Sequence, residues 1–274
     1  MSLLQKIKDN LNYSFYLVNG KKPWTRGYNV YKERQIKQIL DSQEFNANLL
    51  KQNYGLRLDE RVIEYPWLFS QLPKYSGYLL DAGSALNHSF LISREVLNSK
   101  HIFISTLAPE TNYFSHRDIS YVYEDLRSTC YKNDFFDWIV CISTLEHIGL
   151  DNTMLYTTDE SKKESDFNSY LSAIKEFYRV LKIGGTLFLT VPFGKYVNHG
   201  WFQVFDSEMV DLVISTFSPT FVTEFYYQYE NNGWQISSRE KSKNATCFDI
   251  HKQKTYEPDF LAFSRAIVCL KLVK

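Results

Sequence analysis

The sequence has 274 residues, of which 44% are hydrophobic and 23% charged, a composition typical of a globular chain with room for one domain and a cap. Basic and acidic residues number 31 each, so the formal net charge is zero, which disfavours a general nucleic-acid binder with its basic surface. No apolar run approaches the roughly 18 residues that a membrane-spanning helix needs.

The first 70 residues have the pattern of short helices with many aromatic side chains. Apolar residues recur at helical spacing between Tyr31 and Leu40, and again between Val62 and Leu68. The first ten residues lack the apolar core of a secretory signal and the cysteines form no C-x-x-C pair, so we expect a cytoplasmic protein. We predict an N-terminal helical cap over residues 1–70 and a second domain over residues 71–274.

Short apolar runs alternate with amphipathic helices after residue 75. Runs without strict alternation are typical of strands buried on both faces of a parallel sheet. Two late runs without a helix between them predict an antiparallel hairpin at the sheet edge, and we place a substrate-side insertion near residues 195–255. The pattern predicts an α/β fold with a Rossmann-like, mostly parallel, doubly wound sheet. The runs lie at 77–81, 101–105, 119–123, 136–142 and 186–191, with the two late ones at 221–229 and 260–272.

Ligands of such sheets bind at the carboxyl ends of the strands, so the residues that follow each run are the informative ones. An acid and a glycine turn follow the first run, in Leu79-Leu-Asp-Ala-Gly-Ser84. A Phe-Asp pair opens the fourth run and Glu146-His147 follows it, within residues 136–149. Leu181-Lys-Ile-Gly-Gly185 precedes the fifth run. In this order and at this spacing, over about residues 60–274, the motifs resemble the class I S-adenosylmethionine-dependent methyltransferases.

The resemblance implies S-adenosylmethionine as the cofactor and S-adenosylhomocysteine as its product. It places Asp81 near the cofactor's ammonium group, Gly83 where the backbone approaches the methionine portion, and amides of the next turn on the carboxylate. Asp125 and Leu126 take positions that contact adenine in the family. The implied cofactor-binding set is Asp81, Gly83, Ser84, Ala85, Asn87, Thr106, Asp125, Leu126, Ser143 and Thr144.

Two positions depart from the family pattern. The glycine triplet is Gly83, Ala85 and Asn87 here, and Thr106 stands where an acid normally binds the ribose hydroxyls, with Glu110 as the next acid along the chain. These departures keep an alternative open, a catalytically impaired protein of the same fold that serves as a binding partner or scaffold. An enzyme of this fold with different chemistry on a nucleotide-sugar is a further alternative.

Transfer of a methyl group to a hydroxyl needs a base, for which histidine suits neutral pH. We favour His199 as that base, with His147 as a site-shaping or alternative base, although a purely structural role fits each equally well. Glu146 is either a helix cap or a polar neighbour of the sulfonium. We expect no metal site, because Cys247 and His251 alone are too few ligands.

Aromatic side chains are abundant, with 20 Tyr, 20 Phe and 5 Trp. Aromatics that stack on ring faces suit a sugar-like or aromatic acceptor. Glu64-Tyr-Pro-Trp67 and His199-Gly-Trp201 resemble segments of bacterial methyltransferases linked to surface-polysaccharide or small-molecule biosynthesis. We therefore expect a small-molecule or sugar hydroxyl as the substrate and no nucleic-acid partner, and the sequence is compatible with a homo-oligomer.

Overall fold

An eight-stranded sheet organises the computed structural model, which describes residues 3–249 and 251–274. The strands in chain order are β1 Gly77–Ala82, β2 Lys100–Thr106, β3 Ser120–Tyr123, β4 Phe136–Ile142, β5 Leu181–Pro192, β6 Val197–Asn198, β7 Gln203–Val204, β8 Phe221–Glu230, β9 Gly233–Ile236 and β10 Ala266–Val273. The α-helices are α1 Leu3–Val18, α2 Tyr28–Ser42, α3 Arg61–Gln71, α4 Ser89–Ile92, α5 Glu95–Asn98, α6 Thr153–Tyr156, α7 Tyr170–Val180, α8 Ser207–Phe217 and α9 Arg239–Ser242. Short 3₁₀ turns cover Ser115–Arg117, Leu145–His147 and Glu160–Lys162.

The strand order across the sheet is β3-β2-β1-β4-β5-β10-β8-β9, and β6 pairs with β7 outside it. The strands from β3 to β5 are parallel, whereas β10 runs antiparallel to both of its neighbours. The chain winds outward from β1 to β3 and then crosses back to β4, so the order reverses between β1 and β4. This topology confirms the predicted Rossmann-like sheet and places a ligand-binding crevice beside that reversal.

The antiparallel edge differs in detail from the expectation. The last strand, predicted as half of an edge hairpin, is β10, and it lies inside the sheet between β5 and β8. The edge strand is β9, which pairs antiparallel with β8. A buried position suits β10 because six of its eight side chains are buried.

The two faces of the sheet are covered by different helices. Alternate residues of β1 enter two separate hydrophobic cores, with Leu79 in one and Leu80 in the other. Helices α7 and α8 cover the face that holds Leu80. Helix α3 covers the opposite face, where the Trp67 ring lies 6.1 Å from Phe188 of β5. Full burial of a side chain as large as Trp67 contributes about 1.5–3 kcal/mol or more, so α3 is held firmly against the strands that carry the site.

Residues before β1 connect closely to the rest of the chain. Tyr28 Oη donates to Asp59 Oδ2 at 2.9 Å, and Trp24 Nε1 donates to the carbonyl oxygen of Ala262 at 2.6 Å. Side chains from α1 and α2 share the core of the α3 face. The division of the chain near residue 70 stays a prediction.

Among the described residues, we find no helix that combines the length and the apolar character needed to cross a membrane.

Candidate functional site

A cleft of about 770 Å³ opens at the carboxyl ends of β1 to β4. The loops after β1 and β4 diverge there because the strand order reverses between them. This volume lies in the range of roughly 300–1,000 Å³ that small-molecule sites occupy. The cleft is lined by Gly83 after β1, Thr106–Glu110 after β2, Asp125–Arg127 after β3, Ser143, Thr144, His147–Leu150 and Asn152 after β4, and then Leu155–Thr157, Lys162 and Glu164.

The predicted cofactor-binding residues divide into two groups by position. Those that line the cleft are Gly83, Thr106, Asp125, Leu126, Ser143 and Thr144. Those that lie behind its wall are Asp81, Ser84, Ala85 and Asn87, none of which is among the lining residues.

Asp81 builds the turn after β1 instead of facing the cleft. Its buried carboxylate accepts the backbone N–H of Ala85 at 3.0 Å and that of Leu86 at 2.8 Å. Burial raises the pKa of Asp81 to about 7, and these two N–H groups oppose that rise. We expected the amides of this turn to hold the cofactor's carboxylate; in this conformation Asp81 occupies two of them.

Gly83 allows the same turn to pack against the loop after β4. Its φ is +106°, and a Cβ placed on it would lie 2.3 Å from both Oγ1 and Cγ2 of Thr144. Only glycine tolerates both the left-handed backbone and this approach. The close neighbour of Gly83 is therefore the Thr144 side chain.

Strand β2 ends at Thr106 and not at an acidic residue, but Glu110, four residues later, supplies a carboxylate to the cleft. Its Oε2 accepts a hydrogen bond from Ser84 Oγ at 2.7 Å and another from Asn87 Nδ2 at 2.9 Å. Ser84 and Asn87 thus position a carboxylate at the cleft. Sequence spacing identified Glu110 as the next acid, but the two side chains that hold it could not be foreseen.

A charged bridge crosses one side of the cleft. Arg127 Nη2 lies 2.6 Å from Asp125 Oδ2 and 2.6 Å from Glu164 Oε1, while Nη1 donates to Glu164 Oε2 at 2.9 Å. Burial raises the pKa of Asp125, but hydrogen bonds from Arg127 outweigh it and leave this pKa below its usual value. The bridge fastens the segment 151–166 to the loop after β3. No sequence pattern indicated the contact with Glu164, which is 37 residues from Arg127.

Replacing Arg127 by methionine is expected to free the segment 151–166. Half-exposed ion pairs contribute about 0.2–1 kcal/mol each, so the loss of two predicts a roughly fivefold faster tryptic cleavage at Lys162 and Lys163. The rate of cleavage is measured by mass spectrometry of the tryptic fragments over time. The matched control is Arg179→Met, which removes the Arg179–Glu176 pair within α7. Equal cleavage rates in the two variants would show that the bridge does not hold the segment.

His147 is the histidine that lines the cleft. Its Nδ1 lies 2.9 Å from the carbonyl oxygen of Trp201, which can only accept, so Nδ1 carries the proton and Nε2 the lone pair. Burial lowers the pKa of His147 to about 4, so the ring is neutral at neutral pH. Nε2 lies 4.0 Å from Oε1 of Glu146, whose pKa burial raises well above its usual value.

His199 and Glu146 lie outside the cleft. The His199 ring stacks on Phe202 with centroids 4.3 Å apart, and its Nδ1 is 3.3 Å from Asp249 Oδ2. Burial lowers the pKa of His199, and Asp249 opposes this effect. The structure thus brings His147, and not the favoured His199, to the ends of the strands.

Glu64 fastens α3 to the strand ends behind the cleft. Its Oε1 accepts hydrogen bonds from Ser143 Oγ and Thr190 Oγ1, both at 2.6 Å. Its Oε2 lies 2.7 Å from Arg61 Nη1. Ser143, which lines the cleft, is therefore held by a buried carboxylate 79 residues away. No sequence pattern indicated this network.

The Glu64→Gln variant is expected to lose about 1–3 kcal/mol of unfolding free energy, since the amide still accepts both hydroxyls but no longer pairs with Arg61. Urea denaturation measures the loss. Glu230→Gln, at an exposed position on β8, is the control and should unfold like the wild type. Wild-type stability in Glu64→Gln would mean that the buried ion pair contributes nothing.

No family model and no curated protein sequence matches this chain. Several solved structures are similar at low identity. The YcgJ protein of Bacillus subtilis is 14% identical, with 77% of this chain and 97% of that chain covered and a TM-score of 0.48. A 1,6-didemethyltoxoflavin-N1-methyltransferase from Burkholderia thailandensis, solved with 1,6-didemethyltoxoflavin and S-adenosylhomocysteine, is 11% identical, with 88% of each chain covered and a TM-score of 0.46. An S-adenosylmethionine-dependent methyltransferase from Thermotoga maritima is 13% identical, with 89% and 100% covered and a TM-score of 0.44. Scores of this size show nothing about activity, so function must be inferred from the residues of the cleft.

Proposed function

We propose that this chain is an S-adenosylmethionine-dependent methyltransferase that acts on a hydroxyl group of a small molecule or sugar. The observation that carries the proposal is the convergence of side chains from successive strand ends on one cleft. Glu110 follows β2, Asp125 follows β3, and the neutral imidazole of His147 follows β4. Side chains that meet at the carboxyl ends of parallel strands on either side of a topological reversal form a binding site for a nucleoside-sized ligand.

The lining residues suit a nucleoside cofactor. Glu110 and Thr106 are placed to accept and donate hydrogen bonds to ribose hydroxyls, and Leu126 offers an apolar surface to the adenine ring. Ser143 and Thr144 would border the methionine portion. When bound, S-adenosylmethionine would supply an electrophilic methyl group from its sulfonium and leave as S-adenosylhomocysteine.

His147 is the residue that would act as the general base toward the acceptor hydroxyl. An acceptor hydroxyl must lose its proton as the new C–O bond forms, and Nε2 of His147 holds the lone pair that takes it. The hydrogen bond to Trp201 fixes the ring in this tautomer. Because burial disfavours the imidazolium, the ring then passes the proton on to solvent. Most of the remaining rate enhancement would come from positioning the two reactants.

Mass spectrometry with methyl-deuterated S-adenosylmethionine tests the proposal directly. The protein is incubated with panels of monosaccharides, nucleotide-sugars and phenols, and each product is examined for a gained trideuteromethyl group. We expect label on a hydroxyl-bearing acceptor, and none with heat-unfolded protein. Altered nucleotide-sugars without label would favour the alternative chemistry. The link to polysaccharide biosynthesis and the cytoplasmic location stay expectations until an acceptor is found.

One observation favours the alternative of a catalytically impaired scaffold. The amides of Ala85 and Leu86 are bonded to Asp81, so the turn after β1 offers fewer donors to a cofactor carboxylate than the family pattern implies. Denaturing mass spectrometry of protein purified without added ligand separates the two functions. Co-purified S-adenosylhomocysteine would eliminate the scaffold.

A further inference from the structure

Five buried polar atoms in the segments around His147 and His199 have no hydrogen-bond partner among the described residues. A buried polar atom without a partner costs free energy, and such atoms are normally few and scattered. The other three in the described chain belong to Tyr16, Trp67 and Tyr170, which lie on separate helices. The five are Glu146 Oε2, Asn152 Oδ1, Trp201 Nε1, Gln203 Oε1 and Asp249 Oδ2, and we call these residues the polar subsite.

Contacts join the polar subsite to His147. Asn152 Nδ2 donates to the carbonyl oxygen of His147 at 2.6 Å, and the His147 and Trp201 ring centroids are 5.1 Å apart. Oε1 of Glu146 is 4.0 Å from Nε2 of the same histidine. The Glu146 carboxyl therefore lies near the nitrogen that would take the acceptor's proton, and Asn152 and Trp201 border the same histidine. His147 and Asn152 also line the cleft.

The far side of the polar subsite is formed by Asp249 and the turn between β6 and β7. Asp249 is 1% exposed. Its Oδ2 lies 3.3 Å from Nδ1 of His199 on that turn, an ion-pair contact that is not aligned as a hydrogen bond. The turn also carries Trp201, whose ring meets His251 edge-on at 5.7 Å. Strands β6 and β7 have two residues each, so only a short hairpin covers this side of the polar subsite.

The covering turn is held by a few hydrogen bonds and one buried ring. Gly200 is exposed at φ +94°, and a Cβ built on it would meet no atom within 4 Å. Its carbonyl oxygen accepts from the Asp151 N–H at 3.1 Å, and the neighbouring carbonyl of His199 accepts from the exposed Lys252 at 2.6 Å. Hydrogen bonds from Asp151, Lys252 and His147, together with the fully buried ring of Phe202, hold the turn in place, so a ligand that reaches the polar subsite has to displace it.

The chemistry of the five atoms defines the ligand. The oxygens of Asn152, Gln203 and Asp249 accept hydrogen bonds, whereas the Trp201 indole N–H and the Glu146 carboxyl, which burial favours in its protonated form, can donate. The set therefore suits groups that both donate and accept. Burial favours the neutral forms of Glu146 and His147, so these two groups suit a neutral ligand better than a cationic amine. The aromatic rings of Trp201 and Phe202 provide apolar faces beside the acceptors. Neighbouring hydroxyls on a ring with an apolar face combine these requirements.

We propose that the polar subsite binds the hydroxyl groups of a sugar or polyol acceptor and presents one of them to His147, with the β6–β7 turn closing over it. The proposal rests on the proposed methyltransferase function for the identity of the reaction. Recognition of the polyol itself does not depend on that reaction and can be measured without it.

Saturation-transfer NMR on the full chain, with and without S-adenosylhomocysteine, tests the proposal. The probes are D-glucose and myo-inositol, with cyclohexanol as a ring of similar size that has one hydroxyl. We expect both polyols to bind at least tenfold more tightly than cyclohexanol. We expect Glu146→Met and Asp249→Asn to weaken that binding at least tenfold, while the surface variant Glu230→Gln leaves it unchanged. Equal binding of all three probes, or wild-type affinity in both variants, overturns the proposal and assigns the five atoms to internal water.

Thermal unfolding of the unliganded protein gives a readout that a structural role would not produce. If Glu146 is kept for a ligand, Glu146→Met removes an unsatisfied group and Tm stays constant or rises by about 2–4 °C. A fall in Tm makes that carboxyl structural and removes it from the polar subsite. If Glu146→Met does not fold, Gln203→Met and Glu146→Gln carry the same comparison.

The outcomes separate this proposal from the methyltransferase function. S-adenosylhomocysteine that binds while neither polyol does overturns the polar subsite alone. Polyols that bind as expected while S-adenosylhomocysteine does not overturn the proposed methyltransferase and leave a polyol-binding protein.

Discussion

Alanine at position 147 is expected to lower kcat for methyl transfer by about 10²–10⁴, the usual contribution of a positioned general base. His147 is the histidine that lines the cleft, and its hydrogen bond to Trp201 leaves Nε2 unprotonated. The affinity for S-adenosylhomocysteine should change little, because the variant removes the proton acceptor and not the cofactor contacts. Steady-state kinetics and calorimetry on the same preparation measure the two effects.

Two further histidine variants sharpen this test. His101→Ala, at an exposed position on β2, should retain wild-type kcat, and His199→Ala should lose far less than His147→Ala because its ring lies outside the cleft. A larger loss in His199→Ala than in His147→Ala would return the base to His199, as the sequence first suggested.

The pH dependence of kcat gives an independent check on His147. Its pKa of about 4 keeps the ring neutral, so protonation of this residue should not lower kcat between pH 8 and pH 5.5. An unperturbed histidine base would instead lose about tenfold on going one pH unit below its ordinary pKa near 6.5. A decline centred near pH 6.5 would contradict the assignment.

The Asp81→Ala variant is expected to lose about 2–5 kcal/mol of unfolding free energy and measurable binding of S-adenosylhomocysteine. Removing the carboxylate leaves the N–H groups of Ala85 and Leu86 without partners inside the protein. The same turn places Ser84 and Asn87 on Glu110, so its collapse also displaces the cleft carboxylate. Urea denaturation and calorimetry measure the two losses, with Asp118→Asn at an exposed turn as the control.

The pH dependence of stability has a defined sign at Asp81. Its folded-state pKa of about 7 lies above the ordinary value of 3.8, so the unfolded chain ionises first and this residue's contribution falls as pH rises from about 4 to 7. We expect the unfolding free energy of the wild type to fall more steeply over this range than that of Asp81→Asn. Parallel slopes in the two proteins would mean that Asp81 does not titrate with a raised pKa.

The central strands were predictable because burial on both faces imposes continuous apolar runs. Residues 136–142 form β4 as predicted, and β1 extends one residue beyond its predicted end. The fifth run, at 186–191, lies within β5, but the strand begins five residues earlier, at Leu181, where it pairs with Phe136 of β4. Boundaries shifted where tertiary pairing, and not local pattern, decided the conformation.

The residues of the site were predictable only where a polar side chain directly follows a strand. Thr106, Asp125, Ser143 and Thr144 reach the cleft because strand ends meet there by topology. The partners of Asp81 could not be foreseen, since a turn-forming and a ligand-facing carboxylate have the same sequence. The Glu64 and Arg127 networks depend on contacts between distant segments, which no short motif encodes.

Isothermal titration of the wild-type protein with S-adenosylhomocysteine tests the central claim most directly, because it measures the cleft without requiring the acceptor. We predict saturable binding to one site per chain, weakened at least tenfold by Glu110→Ala and unchanged by Glu230→Gln. Absence of binding heat with the folded wild type at several temperatures, or equal affinity in Glu110→Ala, would show that this cleft is not a cofactor site.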